Sequence, residues 1–217
     1  MFIPFILGVS MEQTSFKTRV KDAAITNAQA FKENYIDYEY CVCSTSFEEK
    51  INIIKTLPGN YLHLVGVNTS MPADTFFKKC INGTLQESDF DFNKRGVASN
   101  SLKGAVRDKI RVLPNMVKLI NDSEIRVQGN FDRNQISCAF ASGDNACTLG
   151  FAKSGHPKSL LRGDYLDCEA SATPDLILRR KAGATIFDEV ILENNPSKYK
   201  EELEELISDG IKAKLFQ

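Results

Sequence analysis

The sequence predicts one α+β domain in which helices come mostly first and an antiparallel meander sheet follows. Apolar residues recur every three or four positions in the first half of the chain, which is the helical period. After Asp122 the period changes to two, which is typical of strands with one buried face. The chain has 217 residues, 42% of them hydrophobic and 25% charged, which suits one globular core.

Helical spacing predicts three helices in the first half. Residues 14–35 carry an apolar stripe, and residues 75–81 form a short helix closed by Asn82-Gly83. A longer helix is expected from Ser99 or Asn100 to about Ile120, and Pro114 should kink or split it because proline lacks a backbone donor.

The segments between these helices are less regular. Residues 38–44 predict a strand, and residues 50–57 fit either a strand or a helix. Residues 61–67 are a compact apolar segment with a histidine at its centre, and residues 87–100 predict an exposed loop because they are polar and contain glycine.

Alternating apolar residues after Asp122 predict a meander of sequential strands. Turn residues separate them at 132–134 and 142–145, and further strands are expected at 159–162, 175–180 and 187–192. A last, acidic helix is expected over 197–217. The domain prediction is therefore residues 14–217, with a core of 14–192, and an N-terminal extension of 1–13.

The net charge of −1 argues against a protein that coats DNA. Charge is unevenly spread, however. The segment from Lys94 to Lys118 contains seven basic residues and one acid, and the segment from Asp188 to Asp209 contains eight acids and two lysines. The basic cluster indicates either a solvated helix face or the flank of a polyanion site.

Six cysteines without a CxxC pair, and two histidines, predict buried thiols and no metal site. The apolar start lacks the basic region of a signal peptide, and no apolar run is long enough to span a bilayer. We therefore expect a cytoplasmic protein without membrane contact. The usual nucleotide-binding and hydrolase motifs are missing from the sequence, so no cofactor is expected.

Two segments contain candidate catalytic residues. His63 lies among apolar neighbours, which suits either acid–base chemistry near neutral pH or a structural histidine with one hydrogen bond. Residues 150–162 combine cations, hydroxyls and the second histidine near a predicted hairpin turn, which suits either phosphoryl transfer or a solvated hairpin. The candidates in this second segment are Lys153, His156, Lys158, Ser159 and Arg162. Arg179-Arg180-Lys181 add positive charge on a neighbouring strand, expected at a solvated sheet edge.

The order of these features resembles the phage and mobile-element branch of the barnase–EndoU–colicin–RelE ribonuclease superfamily. The resemblance rests on His63-Leu64-Val65-Gly66, the stretch 76–83, the helix at 108–113, Gly150-Phe151-Ala152-Lys153 and the stretch 157–161, and it covers roughly residues 14–192. It implies an α+β ribonuclease fold to which the acidic C-terminal helix is an addition.

The resemblance further implies a metal-independent endoribonuclease, often a toxin restrained by a cognate inhibitor protein. The family pattern of a histidine, a lysine and a hydroxyl would fall on His63, Lys153 and Ser159, with Arg162 and His156 as helpers. In RNA the 2′-hydroxyl attacks the adjacent phosphate. His63 would act as general base or acid, Lys153 or Arg162 would stabilise charge, and Ser159 would orient the phosphate. His156, Lys158 and Arg179 are the candidate RNA-binding residues.

Two other classes of function fit the sequence. One is a non-catalytic binding module of a mobile genetic element, of the inhibitor or immunity type, in which the acidic C-terminal helix docks a basic protein. The other is a scaffold domain that assembles through an exposed sheet face.

Overall fold

Helices fill most of the first half of the chain and strands most of the second, which confirms the α+β class. A computed structural model describes residues 14–133 and 136–216, so the predicted extension 1–13 lies outside the described residues. The helices are α1 (Phe16–Phe31), α2 (Asn60–Val65), α3 (Ala73–Ile81), α4 (Ser99–Met116), α5 (Lys200–Leu203) and α6 (Asp209–Leu215). The strands are β1 (Tyr38–Cys43), β2 (Ile51–Ile54), β3 (Arg126–Arg133), β4 (Ile136–Gly143), β5 (Cys147–Phe151), β6 (Pro157–Arg162), β7 (Leu176–Lys181) and β8 (Glu189–Glu193).

The predicted helix over 14–35 is α1, extended by a π-helical turn over Lys32–Ile36. It begins where the Ser15 hydroxyl accepts a hydrogen bond from the Thr18 backbone N–H at 3.0 Å, which satisfies one of the free donors of the first turn. At the other end the Tyr35 hydroxyl donates to the Met116 carbonyl at 3.0 Å. The N-terminal helix is thereby tied to the end of α4.

Helix α4 ends at Met116, two residues after Pro114, and a separate 3-10 turn follows over Leu119–Asn121. Pro114 lies inside the helix, which continues to Met116, so the chain is not split at the proline itself.

The strands form two antiparallel sheets. One is the predicted meander, in the order β3-β4-β5-β6, and the other has the order β2-β1-β7-β8. The two strands expected to follow the meander at 175–180 and 187–192 therefore belong to the second sheet. The chain enters β7 where the Asp175 backbone N–H donates to the Cys43 carbonyl at 2.9 Å, which aligns β7 beside β1.

The compact apolar segment 61–67 lies largely in α2, whose C-cap is Gly66 in the left-handed region at φ 85°. Two local predictions need correction. The segment 87–100 is not wholly exposed, because Phe90 and Phe92 are buried and Phe92 packs on Phe16 with ring centroids 5.1 Å apart. The predicted helix 197–217 is broken into a 3-10 turn, α5 and α6, since Ile207 pairs with Phe187 and Ser208 caps a new helix.

The main core lies between the first four helices and one face of each sheet. Large side chains fill it, among them Phe31, Tyr61, Phe140 and Phe151, each fully buried. A smaller core on the other face of the second sheet packs Cys41 and Cys43 against the C-terminal helices. Cys168 is exposed, whereas the other five cysteines are buried, and all six are free thiols. Within the described residues, the helices are too short or too polar to cross a membrane.

Candidate functional site

A cleft of about 460 Å³ opens where α2, the loop after it and the first half of α4 meet. Both helices pack on β6, which fixes their spacing. We call it the His63 cleft. It is lined by Leu62, His63, Gly66, Val67, Asn68, Thr69, Lys94, Val97, Ser101, Leu102, Ala105 and Lys109.

His63 lies in the last turn of α2, is exposed, and is one of the residues that line the cleft. The neighbours Tyr61, Leu64 and Val65 are buried, so they hold the helix against the core and leave the imidazole on the outer face. The backbone carbonyl of His63 accepts a hydrogen bond from the Lys109 ammonium at 2.5 Å. The structure therefore brings a histidine and a lysine into one cleft.

Lys109 projects from α4 into this cleft beside Gly66. Burial lowers the pKa of Lys109 to about 8, and the positive charge of Lys94 acts in the same direction. An ammonium carries three donors, so two remain after the bond to the His63 carbonyl. Lys109 is thus a cation close to its titration point, with N–H groups left to offer a ligand.

The other polar groups of the cleft divide into two kinds. Thr69 and Asn68 hold the loop in place, since the Thr69 hydroxyl donates to the Asp89 carbonyl at 2.7 Å and the Asn68 amide donates to the Asp91 carboxylate at 3.1 Å. Lys94 and Ser101 are exposed at the rim. These two side chains are available to an anionic ligand.

Lys153 and Ser159 lie elsewhere. Lys153 is in the turn between β5 and β6, where its side chain is 87% exposed and its ammonium is 3.7 Å from the Glu49 carboxylate. Ser159 pairs with Gly150 and shares the side of that sheet on which Cys138 lies, whereas its neighbour Leu160 packs into the main core. Adjacent residues of a strand point to opposite faces. Neither residue lines the His63 cleft.

Three further candidates are held by bonds within the chain. The Arg162 guanidinium lies 3.3 Å from the Asp108 carboxylate on α4. The His156 ring contacts the Lys55 carbonyl through Nδ1 at 2.7 Å, and because a carbonyl only accepts, Nδ1 carries the proton. The Lys158 ammonium donates to the Ser137 carbonyl at 2.6 Å. The catalytic role expected of Arg162 and the RNA binding expected of His156 and Lys158 stay predictions.

Arg179 forms two hydrogen bonds to the Glu189 carboxylate, at 2.8 and 2.5 Å, and its guanidinium lies 4.2 Å from the Tyr38 ring centroid. The expectation of a solvated edge for this strand is wrong, because β7 lies between β1 and β8. Arg180 is buried there and pairs with Glu39.

Sequence reasoning missed Lys109 as a site residue. The predicted apolar stripe of α4 runs through Leu102, Val106, Ile110 and Leu113, and Lys109 lies beside it, directly before Ile110. Its place in the cleft depends on the packing of α2 beside α4, which the pattern of one helix does not encode.

Several acids of the C-terminal region have partners inside the chain. Glu202 pairs with Lys50, and Glu204 lies 3.3 Å from Lys212. The described residues contain no group of three or more His, Cys, Asp or Glu side chains that could hold a metal ion.

Comparison with models of known protein families gives a match. The model of a family described as phage-Barnase-EndoU-ColicinE5/D-RelE like nuclease4 matches residues 25–204, which is most of the chain and includes the His63 cleft. No curated protein and no solved structure matches the chain.

Proposed function

We propose that this chain, which belongs to the phage-Barnase-EndoU-ColicinE5/D-RelE like nuclease4 family, is a metal-independent endoribonuclease whose catalytic site is the His63 cleft. The observation that carries the proposal is the shared position of His63 and Lys109 in one cleft. General acid–base catalysis needs two such groups on either side of the reacting phosphate. Lys94 adds the positive charge that a phosphate requires.

In the proposed reaction the 2′-hydroxyl of RNA attacks the adjacent phosphorus. The His63 imidazole accepts the 2′ proton, and the protonated Lys109 donates a proton to the leaving 5′ oxygen as the bond from phosphorus to that oxygen breaks. The products are a 2′,3′-cyclic phosphate and a free 5′-hydroxyl. A lysine with a pKa of about 8 is a better acid at neutral pH than an ordinary lysine, because its pKa lies nearer the working pH.

This assignment gives Lys109 and Lys94 the parts that the sequence suggested for Lys153 and Arg162. Lys109 and Lys94 line the cleft that contains His63, whereas Arg162 lies against Asp108 and Lys153 near Glu49. The orienting role suggested for Ser159 stays a prediction.

The test is incubation of purified protein with total RNA in EDTA, comparing the wild type with His63→Ala. We expect EDTA-resistant cleavage by the wild type and a loss of roughly 10²–10⁴-fold in the variant. Because the His63 side chain is exposed, the variant should keep its fold, which far-ultraviolet circular dichroism would check. Lys78→Ala, an exposed lysine on α3, is the matched control.

Two results would count against the proposal. DNA lacks the 2′-hydroxyl, so cleavage of DNA by a clean preparation would overturn the mechanism. Absence of cleavage on total RNA, followed by capture of a basic protein partner, would favour the non-catalytic binding module instead.

A toxin role is proposed on the same site. Expression of the wild type in a bacterial host should slow growth, and His63→Ala should relieve the effect. Equal toxicity of both proteins would show that growth inhibition does not depend on this cleft.

A further inference from the structure

A second cleft, of about 510 Å³, lies where the start of α1, the segment 91–93 and α4 meet. We call it the Phe16 cleft. We propose that it binds the single-stranded RNA that flanks the scissile phosphate, an inference that rests on the proposed function of the His63 cleft.

Helix α4 separates the two clefts. Lys103 and Arg107 line the Phe16 cleft and are four residues apart, so they share one flank of the helix. Ala105 and Lys109 line the His63 cleft and share another flank, because residues two positions apart do not face each other. One helix therefore supplies cations to both clefts.

The floor of the Phe16 cleft is aromatic. Phe16 and Phe92 pack with ring centroids 5.1 Å apart and planes inclined by 32°. Phe16 is only partly buried, so part of its surface stays open to a ligand. Proteins that bind single strands without sequence preference place bases on such aromatic side chains.

Cations lie over this aromatic floor. The Arg107 guanidinium is 5.2 Å from the Phe16 ring centroid, and the Lys103 ammonium is 5.7 Å from that of Phe92. Within the part of the chain that the structure describes, neither cation has a carboxylate partner within salt-bridge distance. Cations over rings are held in place and keep hydrogen-bond donors for phosphate oxygens.

The carboxylate that lines the cleft, that of Asp91, already has hydrogen-bond partners within the chain. The Asp91 carboxylate accepts hydrogen bonds from the Asn93 backbone N–H at 2.8 Å and from the Asn68 amide at 3.1 Å, and these bonds keep its pKa below the usual range. The cleft is positive overall, because its lining contains three cations and only this one acid; the cations are Lys17, Lys103 and Arg107. An anionic chain is the complementary ligand.

The two clefts are neighbours. Asn68 lines the His63 cleft and Asp91 lines the Phe16 cleft, and their backbones pair through hydrogen bonds of 3.1 and 2.8 Å. The two clefts adjoin along this pair, and we place the nucleotide next to the reacting phosphate in the Phe16 cleft. We assign the cleft to an RNA strand rather than to an acidic protein because it joins stacking surfaces to cations.

The experiment measures binding of a fluorescein-labelled, uncleavable 2′-O-methyl oligonucleotide of roughly 10 nucleotides by fluorescence anisotropy over a series of salt concentrations. The test variant is Lys103→Gln with Arg107→Gln. The control is Lys78→Gln with Lys118→Gln, which removes the same charge from exposed lysines that line neither cleft. A third variant, Phe16→Leu, keeps an apolar side chain and removes the ring.

We expect the test variant to bind about tenfold or more weakly, with a salt slope smaller by about 1.4, which is the loss of two phosphate contacts to a single strand. Phe16→Leu should weaken binding about tenfold with an unchanged salt slope, because stacking is not ionic. The control should bind like the wild type.

Equal losses in the test and control variants would overturn the inference, as would no binding by the wild type. The proposed function fails separately, through absence of RNA cleavage. If the wild type cleaves RNA and the test variant binds the oligonucleotide normally, the proposed RNA binding by the Phe16 cleft is refuted. The proposed catalytic role of the His63 cleft is then unaffected.

Discussion

The Lys109 ammonium donates a hydrogen bond to the backbone carbonyl of His63 at 2.5 Å, which connects α4 to the end of α2. The bond is made to the main chain, so the imidazole stays available to a substrate. Lys109 thus positions the end of α2 and lines the same cleft as His63.

The titration of Lys109 should appear in the pH profile of RNA cleavage. Its pKa is lowered from 10.5 to about 8, so the side chain is mainly protonated below that pH and loses its proton as the pH rises through it. If Lys109 donates the proton to the leaving oxygen, kcat/KM should fall about tenfold for each pH unit above about 8. Steady-state rates between about pH 6 and about pH 10 would measure this limb.

The Lys109→Arg variant separates proton donation from charge. Arginine keeps the positive charge but titrates far above the working range, so the variant should lose about 10²–10⁴-fold in kcat. A Lys109→Arg enzyme that stays active and gains activity above pH 8 would assign a purely electrostatic role to this position.

The contact between Gly66 and Lys109 can be tested by substitution, with Gly83 as the matched control. Gly66 and Gly83 both have positive φ, at 85° and 67°, so alanine strains the backbone at each by about 1–3 kcal/mol. A Cβ at Gly66 would lie 2.8 Å from Lys109 Cδ, whereas one at Gly83 meets nothing within 4 Å. We expect Gly66→Ala alone to lower cleavage, because Lys109 must move. Comparable activities of the two variants at equal stability would contradict this.

The position of the reacting phosphate can be tested by comparing two lysines. Lys94 lines the His63 cleft, and Lys153 lies on the turn between β5 and β6. Lys94→Ala should lower kcat/KM on RNA by about tenfold or more, and by more than Lys153→Ala, because a cation acts mainly on charge close to it. A larger loss of kcat/KM for Lys153→Ala than for Lys94→Ala, measured on one RNA preparation, would indicate that the reaction takes place at the β5–β6 turn.

The environment of Arg180 allows a prediction about the free energy of unfolding that does not depend on the proposed function. Its guanidinium is buried, bonds the Glu39 carboxylate at 2.9 and 2.6 Å, and donates to the Thr185 carbonyl at 2.6 Å. Arg180→Ala leaves the Glu39 carboxylate, which is 15% exposed, without its partner, which should lower the free energy of unfolding by about 3 kcal/mol. Urea denaturation would measure it. Lys32→Ala, which breaks the surface pair with Asp37, should cost less than about 1 kcal/mol.

Local elements were predictable because they depend on near neighbours in the chain. The spacing of Val20, Ala24 and Phe31 specifies α1, and the alternation that begins after Asp122 specifies β3 to β6. The family was predictable from short stretches such as His63-Leu64-Val65-Gly66, and the match over residues 25–204 confirms it.

Pairing between distant segments was not predictable. The pattern of β7 shows that it is a strand, but the same apolar alternation fits a fifth strand of the meander or a partner for β1. The burial of Phe92 likewise depends on Phe16, which lies in α1, far away in the chain.

The α+β class, the helices α1, α3 and α4, the meander, the family and the interest of His63 all followed from the order of the residues. The residues that share a cleft with His63 became known only from the way the elements pack. Lys109 is there because α2 and α4 pack on the same strand, whereas Ser159 is excluded because alternate residues of that strand point to opposite faces. A catalytic site joins side chains that are far apart in the chain, and their distances follow from packing, which no local pattern encodes.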